Sequence, residues 1–213
     1  TTVATFSYAI AASAFFVFFI LLITRWRSRM YGMALAGASL FSAIWAVTVA
    51  FLASKGIVYG ILSDCLEIVR SAGWTIFLVM VLGPQQPTRK FFSFTFKPFI
   101  LAIVCCYILL IVATLFSYLQ IEIFQSTIGL LNSIVGRVAL AVFGMLLVEQ
   151  LFRNTPDKER WGIKFACFGI GSIFAFDFYL YSDAILFRKI NPDIWMARGI
   201  VNALTVPMIA LSA

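Results

Sequence analysis

Charged and amide side chains lie inside stretches that are otherwise apolar, and these are the residues whose types could do chemistry. Between Phe176 and Asn202, Asp177 and Asp183 stand near the end of one apolar run, and Arg198 and Asn202 stand near the start of the next. An ionisable side chain at membrane depth costs about 2.5 to 3.5 kcal/mol, so several of them together are expected to pair around a site. We therefore predict that this stretch forms the functional end of the protein.

A second charged group stands in the third apolar run, where Asp64, Glu67 and Arg70 are spaced to share one helix face. If the third, fifth, sixth and seventh runs are neighbours, their polar side chains meet in one outward-facing pocket. The candidate ligand-sensing residues are Asp64, Glu67, Arg70, Asn132, Arg137, Asp177, Tyr181, Arg198 and Asn202. Two interpretations stay open. The arginines can bind an anion with paired hydrogen bonds, or the charges can be structural ion pairs that fix helix register.

The composition indicates the class of protein. Of the 213 residues, 62% are hydrophobic and 12% are charged, whereas soluble domains are about 45 to 50% apolar. This favours an all-α, polytopic membrane protein whose main partner is the lipid bilayer. The net charge of +7 does not indicate nucleic-acid binding, because the basic residues lie in short connectors between the apolar runs.

The residue types present exclude several kinds of site. The sequence contains no histidine, which removes the commonest general base and the commonest zinc ligand. Its four cysteines lie within apolar runs and lack the CxxC spacing of metal and redox sites. No lysine lies in the middle of an apolar run, so a retinal Schiff base is not expected. We expect no catalytic residue, no metal site and no cofactor in this chain.

A membrane-spanning helix needs about 20 mainly apolar residues, and the sequence divides into seven such runs. We predict a single domain, a seven-transmembrane-helix bundle. Its helices are expected at about residues 4–24, 31–53, 60–82, 98–119, 127–148, 164–183 and 194–212.

Lysine and arginine counts predict the orientation of this bundle. Ten basic residues lie after the first, third and fifth runs, and three lie in the connectors of the opposite side. Because cytoplasmic loops carry the excess of positive charge, the amino terminus is predicted outside and the carboxyl terminus in the cytoplasm. Pro207 lies inside the seventh run, where it should bend the helix, and we predict that it acts as an output hinge.

Three sequence segments together resemble a known family. They are TRWRSR at the end of the first run, DCLEIVRSAGW in the third, and YLYSDAILFRKINPDIWMARGIVNALTVPMIALSA at 179–213. These segments resemble parts of the amino-terminal membrane domain of the sensor histidine kinases of the PEP-CTERM/exosortase system. The resemblance implies a signal-input domain in the bacterial inner membrane, belonging to a two-component kinase that regulates exopolysaccharide and PEP-CTERM protein genes.

The resemblance also implies what lies outside this chain. GAF-like and kinase domains are expected in the cytoplasm after residue 213, and ATP and Mg²⁺ would bind only there. The chain stops as the seventh run reaches the cytoplasm, which we interpret as part of a longer protein. The implied partners are a second copy in a homodimer, a response regulator, and an unknown small ligand or envelope component. The alternative function is a small transporter, or a proton or anion relay, that uses the intramembrane Asp, Glu and Arg residues.

Overall fold

The computed structural model describes residues 2–25, 30–57, 60–83, 92–118 and 127–212. Within these ranges the chain forms seven α-helices and no strand. They are α1 (Thr2–Arg25), α2 (Met30–Ser54), α3 (Ile61–Leu82), α4 (Phe92–Tyr118), α5 (Thr127–Asn154), α6 (Asp157–Phe187) and α7 (Pro192–Ala210).

Helix length and hydropathy indicate a membrane protein. Five segments of the described chain are long and apolar enough to cross a bilayer: Thr2–Arg25, Gly32–Ser54, Ile61–Leu82, Ile134–Asn154 and Arg160–Phe187. In α4 the described apolar stretch is shorter, at Leu101–Phe116. The prediction of an all-helical membrane protein is confirmed at this level.

Three of the predicted helices are several residues shorter than the helices in the structure. Helix α4 begins at Phe92 instead of 98, α5 continues to Asn154 instead of ending at 148, and α6 covers Asp157–Phe187 instead of 164–183. The physical reason is the same in each case: hydropathy marks the part of a helix that suits lipid, whereas backbone hydrogen bonding continues into polar residues. The added first turn of α6 has its own ion pair, Arg160 with Asp157, at 2.6 Å.

Six of the helices pack in a closed ring. Following contacts around it, the order is α1, α2, α3, α5, α6, α7 and back to α1, while α4 packs at the periphery against α3 and α5. A buried hydrogen bond of 2.6 Å between Thr75 and Tyr107 joins α3 to α4. The ring makes α3, α5, α6 and α7 consecutive neighbours, as the predicted meeting of their polar residues requires.

Two apolar clusters fill the ring, one above the other. The first includes Phe15, Trp74, Leu78, Ile170 and Phe174. The second includes Tyr8, Trp45, Val49, Leu180 and Trp195 and lies where α1, α3 and α7 begin and α6 ends. We call this side the N-terminal end of the bundle. Asp177 lies between Phe174 of the first cluster and Leu180 of the second, so the buried charges occupy the boundary between the two.

The ring closes where α7 approaches α1 at Gly199. A Cβ atom added at Gly199 would lie 2.8 Å from the Ser7 carbonyl carbon and 2.9 Å from the Tyr8 amide nitrogen. Two hydrogen bonds follow from this approach: Ser7 donates to the Met196 carbonyl oxygen at 3.0 Å, and Tyr8 donates to that of Trp195 at 2.8 Å. Small residues serve membrane helices in this way, because they allow backbones to come close and polar groups to reach across.

Gly199→Ala is therefore expected to loosen the ring. The new methyl group meets α1 backbone, which cannot move aside as a flexible side chain can, and such overpacking costs about 1 to 3 kcal/mol. Gly37→Ala is the matched control, because a Cβ atom there meets nothing within 4 Å. Thermal unfolding in detergent should show a lower midpoint for Gly199→Ala and an unchanged or higher midpoint for Gly37→Ala. Equal midpoints for the two variants would contradict the close approach.

Candidate functional site

The connection between α6 and α7 sets the two polar helix ends side by side. Arg188 ends α6 in the left-handed conformation, with φ of 53°, and turns the chain. Asn191 then caps α7 by accepting a hydrogen bond from the Asp193 amide at 3.0 Å, and Pro192 occupies the first helical position. Asparagine at the cap followed by proline is a strong helix start, because both residues suit the unpaired first turn. The two helices therefore run antiparallel from a fixed corner.

Residue counts from the N-terminal end explain which charges meet. Glu67 is six residues into α3 and Arg198 six residues into α7, so both lie about 9 Å from their helix starts. Arg70 is nine residues into α3 and Asp177 ten residues before the end of α6, which places both at about 14 Å. Each pair of opposite charges thus shares one level of the bundle.

Arg198 is the centre of the network. Its Nη2 lies 2.7 Å from Glu67 Oε1, and its Nε donates to Asp177 Oδ1 at 2.7 Å. Its side chain is 1% exposed. One guanidinium of α7 is consequently bonded to carboxylates of both α3 and α6.

Arg70 makes the second connection to Asp177. Its Nη2 donates to Asp177 Oδ2 at 2.5 Å, and its Nη1 donates to Asn202 Oδ1 at 2.9 Å. Both carboxylate oxygens of Asp177 are thereby occupied by arginines from different helices. Asn202 in turn donates to the Arg198 carbonyl oxygen at 2.8 Å, which fixes the amide that Arg70 contacts.

Arg137 of α5 forms the outer part of the network. Its Nη2 lies 3.2 Å from Asp64 Oδ2, and its Nη1 lies 3.5 Å from Glu67 Oε2. The hydroxyl of Tyr181 accepts from Arg137 at 3.1 Å and donates to Glu67 Oε1. These contacts add α5 to the helices that the charges hold together.

The buried charges balance within this group. Three arginines, Arg70, Arg137 and Arg198, face three carboxylates, Asp64, Glu67 and Asp177. Removing an ion from water still costs several kcal/mol in a real protein, and mutual attraction offsets that cost only when the geometry is good and the remaining lone pairs are satisfied. The paired contacts on Asp177 and Glu67 meet this condition.

Most of the predicted site residues come together. Asp64, Glu67, Arg70, Arg137, Asp177, Tyr181, Arg198 and Asn202 all belong to the network. The side chain of Asn132 lies outside the described residues. Pro207 lies in α7 but on the opposite side of the network from the N-terminal end, and it is exposed beside α1.

Sequence reasoning missed Trp45, which lies directly against the charges. Its ring packs under two guanidinium groups, with the Arg70 Cζ atom 4.1 Å and the Arg198 Cζ atom 4.9 Å from the ring centre. Such cation–π contacts contribute about 2 kcal/mol or more when desolvated. A signal existed: tryptophan prefers membrane interfaces, and Trp45 stands well inside α2. A mid-span tryptophan among small residues indicates a polar or cationic partner.

Two tyrosines were also missed. Tyr118, at the end of α4, donates to Asp64 Oδ2 at 2.8 Å. Tyr8 of α1 packs edge-on against Trp45, with ring centres 5.5 Å apart, and covers the network from the side of α1. Neither carries a sequence signal, because tyrosines near helix ends are ordinary in membrane proteins.

The polar side chains leave little room between them. The cavity among Trp45, Asp64, Glu67, Arg137 and Arg198 has a volume of about 20 Å³. Sites for small molecules are commonly about 300 to 1,000 Å³. The polar residues predicted to line a pocket therefore form a packed network in this conformation. Among the described residues, no group of three or more Cys, Asp or Glu side chains has the arrangement of a metal site.

Breaking the network should lower the free energy of unfolding, and the loss should depend on whether one or both partners of an ion pair are removed. Arg198→Met or Asp177→Leu leaves the buried network with one uncompensated charge, so each is expected to lower the free energy of unfolding by about 3 to 5 kcal/mol. The double variant should cost less than the sum of the two single variants, because it removes both charges of one pair. Denaturant unfolding in detergent micelles measures all three.

The matched control is the surface pair of Arg153 and Glu149, whose side chains are 69% and 54% exposed. Its single variants should each cost less than about 1 kcal/mol. Strictly additive losses for Asp177 and Arg198, or losses no larger than those of the surface pair, would contradict a coupled buried network.

Comparison with known proteins adds no further evidence about this site: no protein-family model, curated protein or solved structure matches the chain.

Proposed function

We propose that the chain is a membrane-embedded signal-input domain, in which an external stimulus changes how α7 is held against the rest of the bundle. The observation that carries the proposal is the position of Arg198, which is bonded at 2.7 Å to Glu67 of α3 and at 2.7 Å to Asp177 of α6. The pose of α7 thus depends on a small number of directional, charged contacts. A change in any one of them redistributes the others.

Charged contacts of this kind allow α7 to take up two alternative poses. Each carboxylate already has more than one arginine within reach, because Asp177 contacts Arg70 and Arg198, and Glu67 contacts Arg137 and Arg198. An exchange of partners keeps every charge paired, so a second pose need not leave an ion unpaired. A stimulus can favour that pose only by interacting with it more strongly than with the first.

The second half of α7, after Arg198, is packed against α6 and can transmit a movement along the bundle. Gly169 of α6 packs so closely on α7 that an added Cβ atom would lie 3.1 Å from the Thr205 carbonyl oxygen. Beyond Pro207, Ser212 accepts a hydrogen bond from the Ala166 amide of α6 at 2.8 Å. A shift of Arg198 at one end therefore moves a helix whose other end is held against α6.

Two observations favour this role over the alternative, a small transporter or a proton or anion relay. A transporter must hold its substrate among the polar residues, and a cavity of about 20 Å³ is too small for any organic anion. Every carboxylate of the network also has an arginine partner, which leaves none free to carry protons through the bundle. A signal-input domain requires neither feature.

The proposal includes the finer parts of the architecture. We place all seven helices across the membrane, with the amino terminus outside and the carboxyl terminus in the cytoplasm, because connector charges favour that orientation. Following the family resemblance, the membrane is the bacterial inner membrane and the working form a homodimer. A cytoplasmic histidine kinase domain with ATP and Mg²⁺ would act on a response regulator, and the stimulus would be a small ligand or an envelope component.

Cysteine labelling tests the orientation. Lys55→Cys, in the turn after α2, should react with an impermeant maleimide in intact cells, because that turn is predicted to face outside. Asp157→Cys, whose native side chain is 88% exposed at the start of α6, should react only after permeabilisation. The native cysteines are first replaced by serine or alanine. Equal labelling of both positions in intact cells would contradict the orientation.

Kinase output tests the signalling role. In the full-length protein reconstituted in nanodiscs, Arg198→Ala and Pro207→Ala are each expected to change the dependence of autophosphorylation on stimulus, because one releases α7 from the network and the other restores a backbone hydrogen bond. ATP binding should be unchanged in both.

The control variant is Leu204→Ala, which changes a lipid-facing side chain of the same helix, 63% exposed. It should leave the response as in the wild type. Wild-type stimulus dependence in both Arg198→Ala and Pro207→Ala would exclude the proposed route. Substrate uptake by the purified chain in liposomes would instead support the transporter.

A further inference from the structure

The small cavity in the charged network is lined by polar side chains of five helices. It has a volume of about 20 Å³, and these side chains include Trp45 of α2, Asp64 and Glu67 of α3, Arg137 of α5, Tyr181 of α6 and Arg198 of α7. A polar cavity needs about 10 to 15 Å³ and two to four polar partners to hold one water molecule. The cavity therefore fits one occupant the size of water, and nothing larger.

Two N–H groups of its lining residues have no hydrogen-bond partner within the described part of the chain. They are Trp45 Nε1 and Arg137 Nε, and both atoms are buried. Trp45 is 1% exposed as a whole residue. Native proteins leave buried donors unpaired only rarely, because the lost solvation is not recovered. An occupant that accepts hydrogen bonds would satisfy both.

The chemistry of the lining selects among occupants of this size. An ammonium or alkali cation accepts no hydrogen bond, so it would leave the N–H groups of Trp45 and Arg137 without a partner. A halide would accept from them, but it would add an unbalanced negative charge to three arginines that already face three carboxylates. Water accepts from N–H donors and also donates to carboxylates, and it carries no charge.

We propose that this cavity is a specific site for a single water molecule, which accepts from the free N–H groups of Trp45 and Arg137 and donates to the carboxylates of Asp64 and Glu67. The water completes the network that the side chains leave incomplete. Because Ser63 and Asp64 in the first turn of α3 also line the cavity, its water reaches the site from the N-terminal end of the bundle. The site does not depend on the proposed signalling role, since it follows from size, charge and hydrogen bonding alone.

X-ray radiolytic footprinting of the wild-type protein in nanodiscs tests the proposal. A short X-ray pulse produces hydroxyl radicals from bound water, and these oxidise the side chains next to it. Trp45 should be oxidised at least several-fold faster than Trp74. Trp74 is the internal control, because it is 0% exposed and its Nε1 already donates to Ser42 at 3.1 Å. Equal protection of the two tryptophans would overturn the proposal.

A cavity-filling variant separates bound water from general accessibility. Val49→Leu adds a methylene group to a buried lining residue of α2 and should reduce Trp45 oxidation to the level of Trp74. Val47→Leu is the matched control on the same helix, because Val47 is 57% exposed to lipid, and it should change nothing. Unchanged Trp45 oxidation in a folded Val49→Leu protein would overturn the assignment.

Anomalous scattering distinguishes water from ions of similar size. Crystals grown in bromide, or in rubidium, should show no anomalous peak among Trp45, Glu67 and Arg137. A bromide peak there would replace the water assignment with an anion site, and a rubidium peak would replace it with a cation site.

Discussion

The guanidinium of Arg198 between two carboxylates is the contact on which the rest of this bundle depends. Among the described residues, it joins α7 to both α3 and α6 by ion pairs of 2.7 Å, and its side chain is 1% exposed. It constrains the arrangement of three helices, because an arginine on α7 reaches Glu67 and Asp177 only if α3, α6 and α7 surround a common axis. The side chains of the two apolar clusters can vary in detail. The charged groups of Arg198, Glu67 and Asp177 need one another, because lipid offers them no other partner.

Much of this network was predictable because the membrane leaves few alternatives. A buried Asp177 or Arg70 must find an opposite charge, so the charge types alone predicted that these residues would meet in one group. Which arginine meets which carboxylate was not predictable, because the predicted end of α6 at 183 placed Asp177 at the level of Glu67 and not of Arg70. The ring order was not predictable, since contacts among α3, α5, α6 and α7 depend on which apolar faces fit. Helix ends were misplaced for a related reason: the polar first turn of α6 has no hydropathy signal, although its backbone continues the helix.

The sequence also could not predict whether the polar residues line an open pocket or form a packed network. The same residue types could have lined an open cleft, whereas the cavity among them, which Tyr181 and Trp45 also line, has a volume of about 20 Å³. Side-chain rotamers and interhelical distance set that volume, and neither has a signature in one sequence. Trp45 shows the limit clearly. Its position inside α2 indicates a polar neighbour, but not that the neighbours are two guanidinium groups stacked on its ring.

Closure of the ring between α1 and α7 has a consequence for how the protein is made. The ribosome delivers α3 to the membrane long before α6 and α7, so Glu67 and Arg70 enter without Asp177 and Arg198, the partners that neutralise them. Ser7 and Tyr8 likewise wait for the carbonyl groups of Met196 and Trp195. During that interval the third helix carries charged side chains without the buried partners that they have in the complete bundle. The buried network is thus complete only after the last helix has been made, because α7 supplies partners to α1, α3 and α6.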